Sequence, residues 1–130
     1  MALNFPDVGE NLALEMIVNK TAAQNPVLKL YTNNITPGES DTAGTYTEAS
    51  GNGYASVTLT GSSWGAASAG SIAYAQQTFT FTGNLGNVYG YFIVQVTSGT
   101  LLYSERFSDG PYNIVNNGDQ IKITPTITAS

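Results

Sequence analysis

Five carboxylates are spaced closely enough along the chain to act in concert: Glu39, Asp41 and Glu48 in one stretch, Glu105 and Asp109 in another. A glycosidase needs two carboxyl groups at a set separation across a sugar ring. Nothing in the surrounding sequence marks any of these five as buried or coupled to a neighbour. The segment Glu39-Ser-Asp-Thr-Ala-Gly could offer oxygen ligands to a hard cation such as calcium. The twelve-residue spacing of a calcium loop is missing, however, and a polar surface loop is the simpler reading. The chain has no histidine and no cysteine. The usual bases and nucleophiles of neutral-pH catalysis are therefore absent, as are disulfides and thiolate metal sites. Lys29 and Lys122, the candidates for a Ser–Lys pair, fall at outward positions of predicted strands and read as solvated. No catalytic residue, cofactor or metal is expected, and the chain reads as a binding or structural protein, not an enzyme.

Aromatic residues say more. There are eight Tyr, five Phe and one Trp, and Phe79, Phe81 and Phe92 have the alternation of core positions. Tyr46, Tyr54 and Trp64 lie in or beside loops rich in Gly and Ser, where a ring is costly to expose without a use. Such rings serve as contact anchors and sugar-stacking platforms, or they fold back as lids over the ends of the domain. Leu3 and Phe5 belong to no element of the pattern and are expected to be the apolar anchors of an N-terminal arm, residues 1–6. The candidate contact residues are thus Leu3, Phe5, Tyr46, Tyr54 and Trp64.

The elements that must position these residues are mostly strands. The stretch Asp7–Lys20 has apolar residues at 3–4 residue spacing (Leu12, Met16 and Val18, with Ala13 and Ile17). Asp7 and Glu10 are placed as in a capping box. The spacing predicts a short helix, although Leu12–Val18 would also suit a strand. From Asn25 onward the period changes to two. Strands are expected over Val27–Thr32, Tyr54–Thr60, Ile72–Thr82, Val88–Thr97, Thr100–Phe107 and Gln120–Thr128, with a short one at Tyr46 inside a long polar loop, 39–53. Val88–Thr97 is apolar on both faces and should be a central strand covered twice. Ser98-Gly99 signals a tight hairpin, and Pro125 requires an edge or a bend. The fold class is mainly β: an antiparallel β-sandwich or small barrel of about seven strands with one short N-terminal helix. One domain is expected over 1–130, with the arm at 1–6, the helix at 7–20 and the sandwich at 27–128.

Composition narrows the partners. Apolar residues make up 42% of the chain, enough for a real core. Charged residues are only 10%, against about 25% in typical domains. The polar surface must come from Thr, Ser, Asn, Gln and Gly, which suits a chain packed against other subunits or a secreted β domain. Net charge is −5, and the four basic residues, Lys20, Lys29, Arg106 and Lys122, are scattered. Neither nucleic acid nor an anionic membrane is an expected partner. No apolar run approaches the roughly 20 residues of a membrane span. Residues 1–6 lack the basic and apolar regions of a signal peptide, so synthesis in a cytoplasm without export is expected.

Several segments carry a resemblance: Leu28-Lys-Leu-Tyr-Thr-Asn-Asn-Ile-Thr-Pro, Gln77-Thr-Phe-Thr-Phe-Thr-Gly, Val88-Tyr-Gly-Tyr-Phe, Glu105-Arg-Phe-Ser-Asp-Gly-Pro and Asn117-Gly-Asp-Gln-Ile-Lys-Ile-Thr-Pro. In texture and order the chain resembles small β-rich structural proteins of tailed bacteriophages, including cyanophages. Some are capsid decoration (cement) proteins and others are head or tail fibre components. The resemblance implies a virion protein on the capsid surface, bound to the major capsid protein and to itself as a homotrimer, that stabilises the head. The alternative is a carbohydrate- or receptor-binding β-sandwich of a virion fibre or a secreted protein. The resemblance transfers no individual site residue.

Overall fold

In the computed structural model, which describes residues 3–129, the chain order is one helix followed by ten strands. The helix is α1 (Asp7–Ile17). The strands are β1 (Pro26–Tyr31), β2 (Val57–Thr58), β3 (Ser71–Ala73), β4 (Gln77–Thr80), β5 (Gly86–Val88), β6 (Gly90–Gln95), β7 (Leu101–Arg106), β8 (Tyr112–Ile114), β9 (Gln120–Ile123) and β10 (Thr126–Thr128). The fold is mainly β and every strand pair is antiparallel, in a sandwich-like arrangement. The count exceeds seven because Ile72–Thr82, Val88–Thr97 and Gln120–Thr128 are each broken in two and β8 forms where no strand was expected.

The main sheet has the order β2-β1-β6-β7. β1 and β6 pair along their whole length, from Pro26↔Gln95 to Tyr31↔Gly90. The double-sided apolar pattern of β6 is realised, since every residue of the strand is buried. One face carries Leu28, Leu30, Tyr91 and Ile93 into the larger core, which also takes Phe79, Phe81, Ile121 and Ile123. The opposite face carries Val27, Tyr31, Phe92 and Val94 into a second, smaller core. Gly90 makes room there: a Cβ on it would lie 2.2 Å from the Glu105 carbonyl and 2.6 Å from the Tyr31 ring.

Among the described residues, no second sheet covers the smaller core. The loop after β1 does so, contributing Ile35, Ala43 and Tyr46. In place of the expected strand at Tyr46, a 3-10 turn (Ala43–Thr45) delivers the ring onto Phe92, with centroids 4.9 Å apart. The loop then returns along the outer edge of β1, where Thr32 N–H donates to Thr47 and Ala49 N–H to Leu30. The edge of β1 is thus shared between this return and the short β2.

The β6–β7 connection is longer than the expected two-residue turn. Gln95 N–H donates to Thr100 across it, and Gly99 N–H donates to Gln95. A bulge follows: Ile93 faces Tyr103 but Val94 faces Leu101, so Leu102 is the extra residue. Leu102 and Tyr103 therefore both enter the larger core, although they are consecutive.

The helix packs against β7 at this bulge. A Cβ on Gly9 would meet the Leu102 carbonyl oxygen at 2.1 Å, so only glycine allows the approach. Asp7 is not the cap that its spacing with Glu10 suggested. Pro6, extended at φ −72 and ψ 162, is the N-cap, and no side chain caps the helix. The orphan N–H of Asp7 is taken instead by the Glu39 carbonyl at 2.8 Å. At the other end the helix stops at Ile17, short of Lys20. Asn19 is left-handed (φ 61). Its N–H donates to Met16 while that of Lys20 donates to Glu15, the paired bonds of a Schellman stop.

Three two-stranded ribbons complete the fold: β3 with β10, β4 with β9, and β5 with β8. The expected strands Ile72–Thr82 and Gln120–Thr128 are one ribbon interrupted at the same level. Ala73 faces Thr126 and Gln77 faces Ile123, leaving three residues opposite two. Pro125, which cannot donate, accepts from Tyr74 N–H at this break. Among the described residues, no helix is long and apolar enough to cross a membrane.

Phe81 is fully buried in the larger core. Phe81→Ala should cost about 3–5 kcal/mol in denaturant unfolding, and a loss below about 1 kcal/mol would contradict its burial. Gly9→Ala sets two effects against each other: alanine gains about 1 kcal/mol of helix propensity, but its methyl group cannot fit against β7. The contact should win, with a net loss of about 1–3 kcal/mol. A stabilised variant would mean that the helix stands off the bulge.

Candidate functional site

The carboxylates that could have formed a catalytic pair are occupied by tyrosines. Tyr46 donates to Asp41, Tyr54 to Glu48 and Tyr91 to Glu105, each at 2.7 Å. Tyr112 donates to Asp109. Glu48 also pairs with Lys29 at 3.3 Å. Asp41 accepts a further bond from Gly38 N–H, so this loop carboxylate is a structural clamp and not a cation ligand. Glu39 turns the other way, and its carboxylate lies within 4.8 Å of those of Asp7 and Glu10, all three exposed. Sequence spacing concealed that cluster because Glu39 lies far along the chain from Asp7 and Glu10. Asp119 accepts from Val115 and Asn116 N–H, which holds its carboxyl below the usual range.

Tyr46 is the centre of a buried chain of hydroxyls. Its proton goes to Asp41, so the Ser104 hydroxyl donates to it at 2.7 Å. Asn4 reaches the same Ser104 oxygen at 3.4 Å and donates to the Gly38 carbonyl at 3.1 Å. One network therefore joins the N-terminal segment, the loop and β7. Burial first, helped by the Asp41 carboxylate, pushes the Tyr46 phenol up; the Ser104 bond opposes this.

The five candidate contact residues divide. Tyr46 is only 7% exposed and serves the interior, so its expected role as a contact anchor is corrected. Tyr54 stacks on Phe79 at 6.0 Å and Trp64 meets Tyr74 edge-on at 5.3 Å, both half-buried over the larger core. They act as lids and do not come together. Leu3 and Phe5 do come together, but not as a free arm. Asn4 between them exchanges both backbone hydrogen bonds with Ser104, and Phe5 stacks on Tyr103 at 5.9 Å. Residues 1 and 2 of the proposed arm lie outside the described residues.

Leu3 and Phe5 instead line a groove of about 580 Å³ together with Glu10, Ala13, Leu14 and Ile127. Beside it the helix and its C-cap expose Leu14, Ile17 and Val18 at 62, 78 and 73%. The sequence pattern counted Ile17 and Val18 toward the core face. Only Leu12 is buried there, with Met16 packed partly against the core. The signal that could have separated them is the excess of apolar positions, more than one helix face can bury. A second depression, about 430 Å³ and more polar, lies between β8 and β9 around Tyr112, Asn113, Gln120 and Lys122.

Residues 4–128 match the sequence model of a family described as podophage GP4 fiber I protein gp80. No curated protein matches the chain.

The hydroxyls lead to opposite expectations. Tyr46→Phe removes a bonded group and should cost about 1–3 kcal/mol. Tyr103→Phe removes a buried hydroxyl that has no partner, and it should be neutral or stabilising in the same unfolding assay. Equal losses would contradict the network. Burial pushes the Tyr31 phenol up to about 12, and the Asp109 bond first, then burial, does the same for Tyr112. A phenol raised in the folded state favours folding fully below its unfolded value near 10. That contribution is lost as pH rises toward and through the folded value. Stability should therefore hold between pH 7 and 9 and fall from about 10 to 12; a flat profile across that window would refute it.

Proposed function

The chain belongs to the family of podophage GP4 fiber I proteins (gp80), and from that membership we propose that it is a non-enzymatic subunit of the virion's fibre apparatus. It is a bacteriophage structural protein, and the family's fibre description supports the finer assignment over the capsid surface. The observation that carries the non-enzymatic reading is the engagement of Asp41, Glu48, Glu105 and Asp109 by tyrosine hydroxyls. A carboxylate fixed as an acceptor in the fold is poorly placed to shuttle protons to a substrate.

A second reading, a decoration protein bound to the major capsid protein, draws support from the low charge density and from the resemblance to capsid cement proteins. Self-association as a trimer fits either reading. The outer edges of the three ribbons have no further strand paired to them among the described residues, and a closed ring would cover such edges without forming fibres.

Mass spectrometry of purified particles should find the chain, and immunogold labelling should place it on fibres. Label spread over the head would favour decoration. Absence from particles would refute both. Sedimentation of the isolated chain should show a trimer, and a monomer both in solution and on the particle would remove that part of the proposal.

A further inference from the structure

We propose that the outward face of α1 and the groove beside it dock an apolar, basic-flanked segment of a different virion protein, an inference that rests on the virion reading above. Leu14 and Ile17 are three residues apart on α1, and the C-cap Val18 follows four after Leu14, so the three make one stripe at the helix's C-terminal end. A surface helix ordinarily turns its apolar stripe inward; here Leu12 and Met16 do so and a second stripe remains in solvent at 62–78% exposure. The groove of about 580 Å³ extends that stripe over Leu3, Phe5 and Ile127. Contiguous apolar surface rimmed by polar groups marks an interaction site, and an amphipathic helix laid in a groove is a recurrent occupant.

Charge selects the partner. Glu10 lines the groove and lies within 4.8 Å of the exposed carboxylates of Asp7 and Glu39. Among the described residues, none of the three is paired with a Lys or Arg: the ion pairs are Lys20 with Glu15 and Lys29 with Glu48. A second copy of the chain fits poorly. Arg106 is held by the Ile35 carbonyl and the Tyr89 ring. Of the four basic residues, Lys29 is held by Glu48, which leaves Lys122 and Lys20, the latter in an exposed 3.7 Å pair with Glu15, to answer three carboxylates. A facing copy would bring its own acidic cluster, and an anionic membrane would be repelled in the same way. The complementary partner carries leucine-like side chains for the stripe and Lys or Arg at the end that meets Asp7, Glu10 and Glu39.

The test uses two synthetic helical peptides with the same leucine stripe, one flanked by lysines and the other by glutamates. In NMR titration of the full chain, the lysine peptide should shift Leu14, Ile17 and Ile127, and the glutamate peptide should not bind. Ile17→Glu and Glu10→Lys, both at exposed positions, should each weaken the lysine peptide at least tenfold while leaving the melting temperature unchanged. Equal binding of both peptides, shifts confined to another surface, or competition by phosphatidylcholine vesicles would overturn the proposal. So would a self-associated species that Ile17→Glu dissociates, because a second copy would then occupy the face. Particle mass spectrometry reads the virion role separately, so failure of the docking surface and failure of the virion assignment are distinguishable.

Discussion

The structure depends on a strand, β6, that is apolar on both faces and must be covered twice. A sheet in this position is ordinarily sandwiched between two regular layers. The chain supplies a regular layer on one side only, from its ribbons. On the other side a polar loop does most of the covering with few apolar atoms, Ile35, Ala43 and Tyr46, joined by Val8 of α1 and Tyr89. Hydrophobic burial by the loop's three side chains is modest, so hydrogen bonds do the rest of its fixing. The Tyr46 hydroxyl between Asp41 and Ser104, the Glu39 carbonyl on the helix N-terminus and the Thr47–Ala49 return along β1 hold the loop down.

This arrangement has functional consequences. The long polar loop, 39–53, is a structural layer, and two of its carboxylates, Asp41 and Glu48, are committed to tyrosines. The N-terminal segment is likewise stitched to β7 through Asn4. Both sheet edges are thereby blunted by short irregular pieces, a protection against uncontrolled edge pairing. What the fold leaves free is a different surface, the outward side of α1 with its acidic margin. A virion subunit needs stable folding and a contact surface more than it needs reactive groups, and the distribution of side chains follows that division.

Much of the fold was legible because burial imposes periodicity. Alternation located Phe79, Phe81, Ile121 and Ile123, and the unbroken apolar run identified the central strand. The helix was legible in type but not in its ends: its stop depends on Asn19 adopting a left-handed conformation, and its first N–H is satisfied from Glu39, remote in sequence. The bulge at Leu102 leaves no local mark, since it shows only in which residues of β6 and β7 face each other. The candidate site was least legible. Tyr46 and Leu14 differ in fate because of tertiary cover, with a loop folding over one and nothing over the other. Composition and period are blind to that distinction.

The central claim is that the loop following β1 is a fixed layer of the fold. Native-state hydrogen exchange addresses it directly through the amides of Asp7, Thr32, Gly38 and Ala49, which donate to Glu39, Thr47, Asp41 and Leu30 respectively. The account predicts protection comparable to that of the β1 amides, with loss of protection only on global unfolding. Exchange of these four amides at the rate of an unstructured chain, while β1 and β6 stay protected, would contradict it.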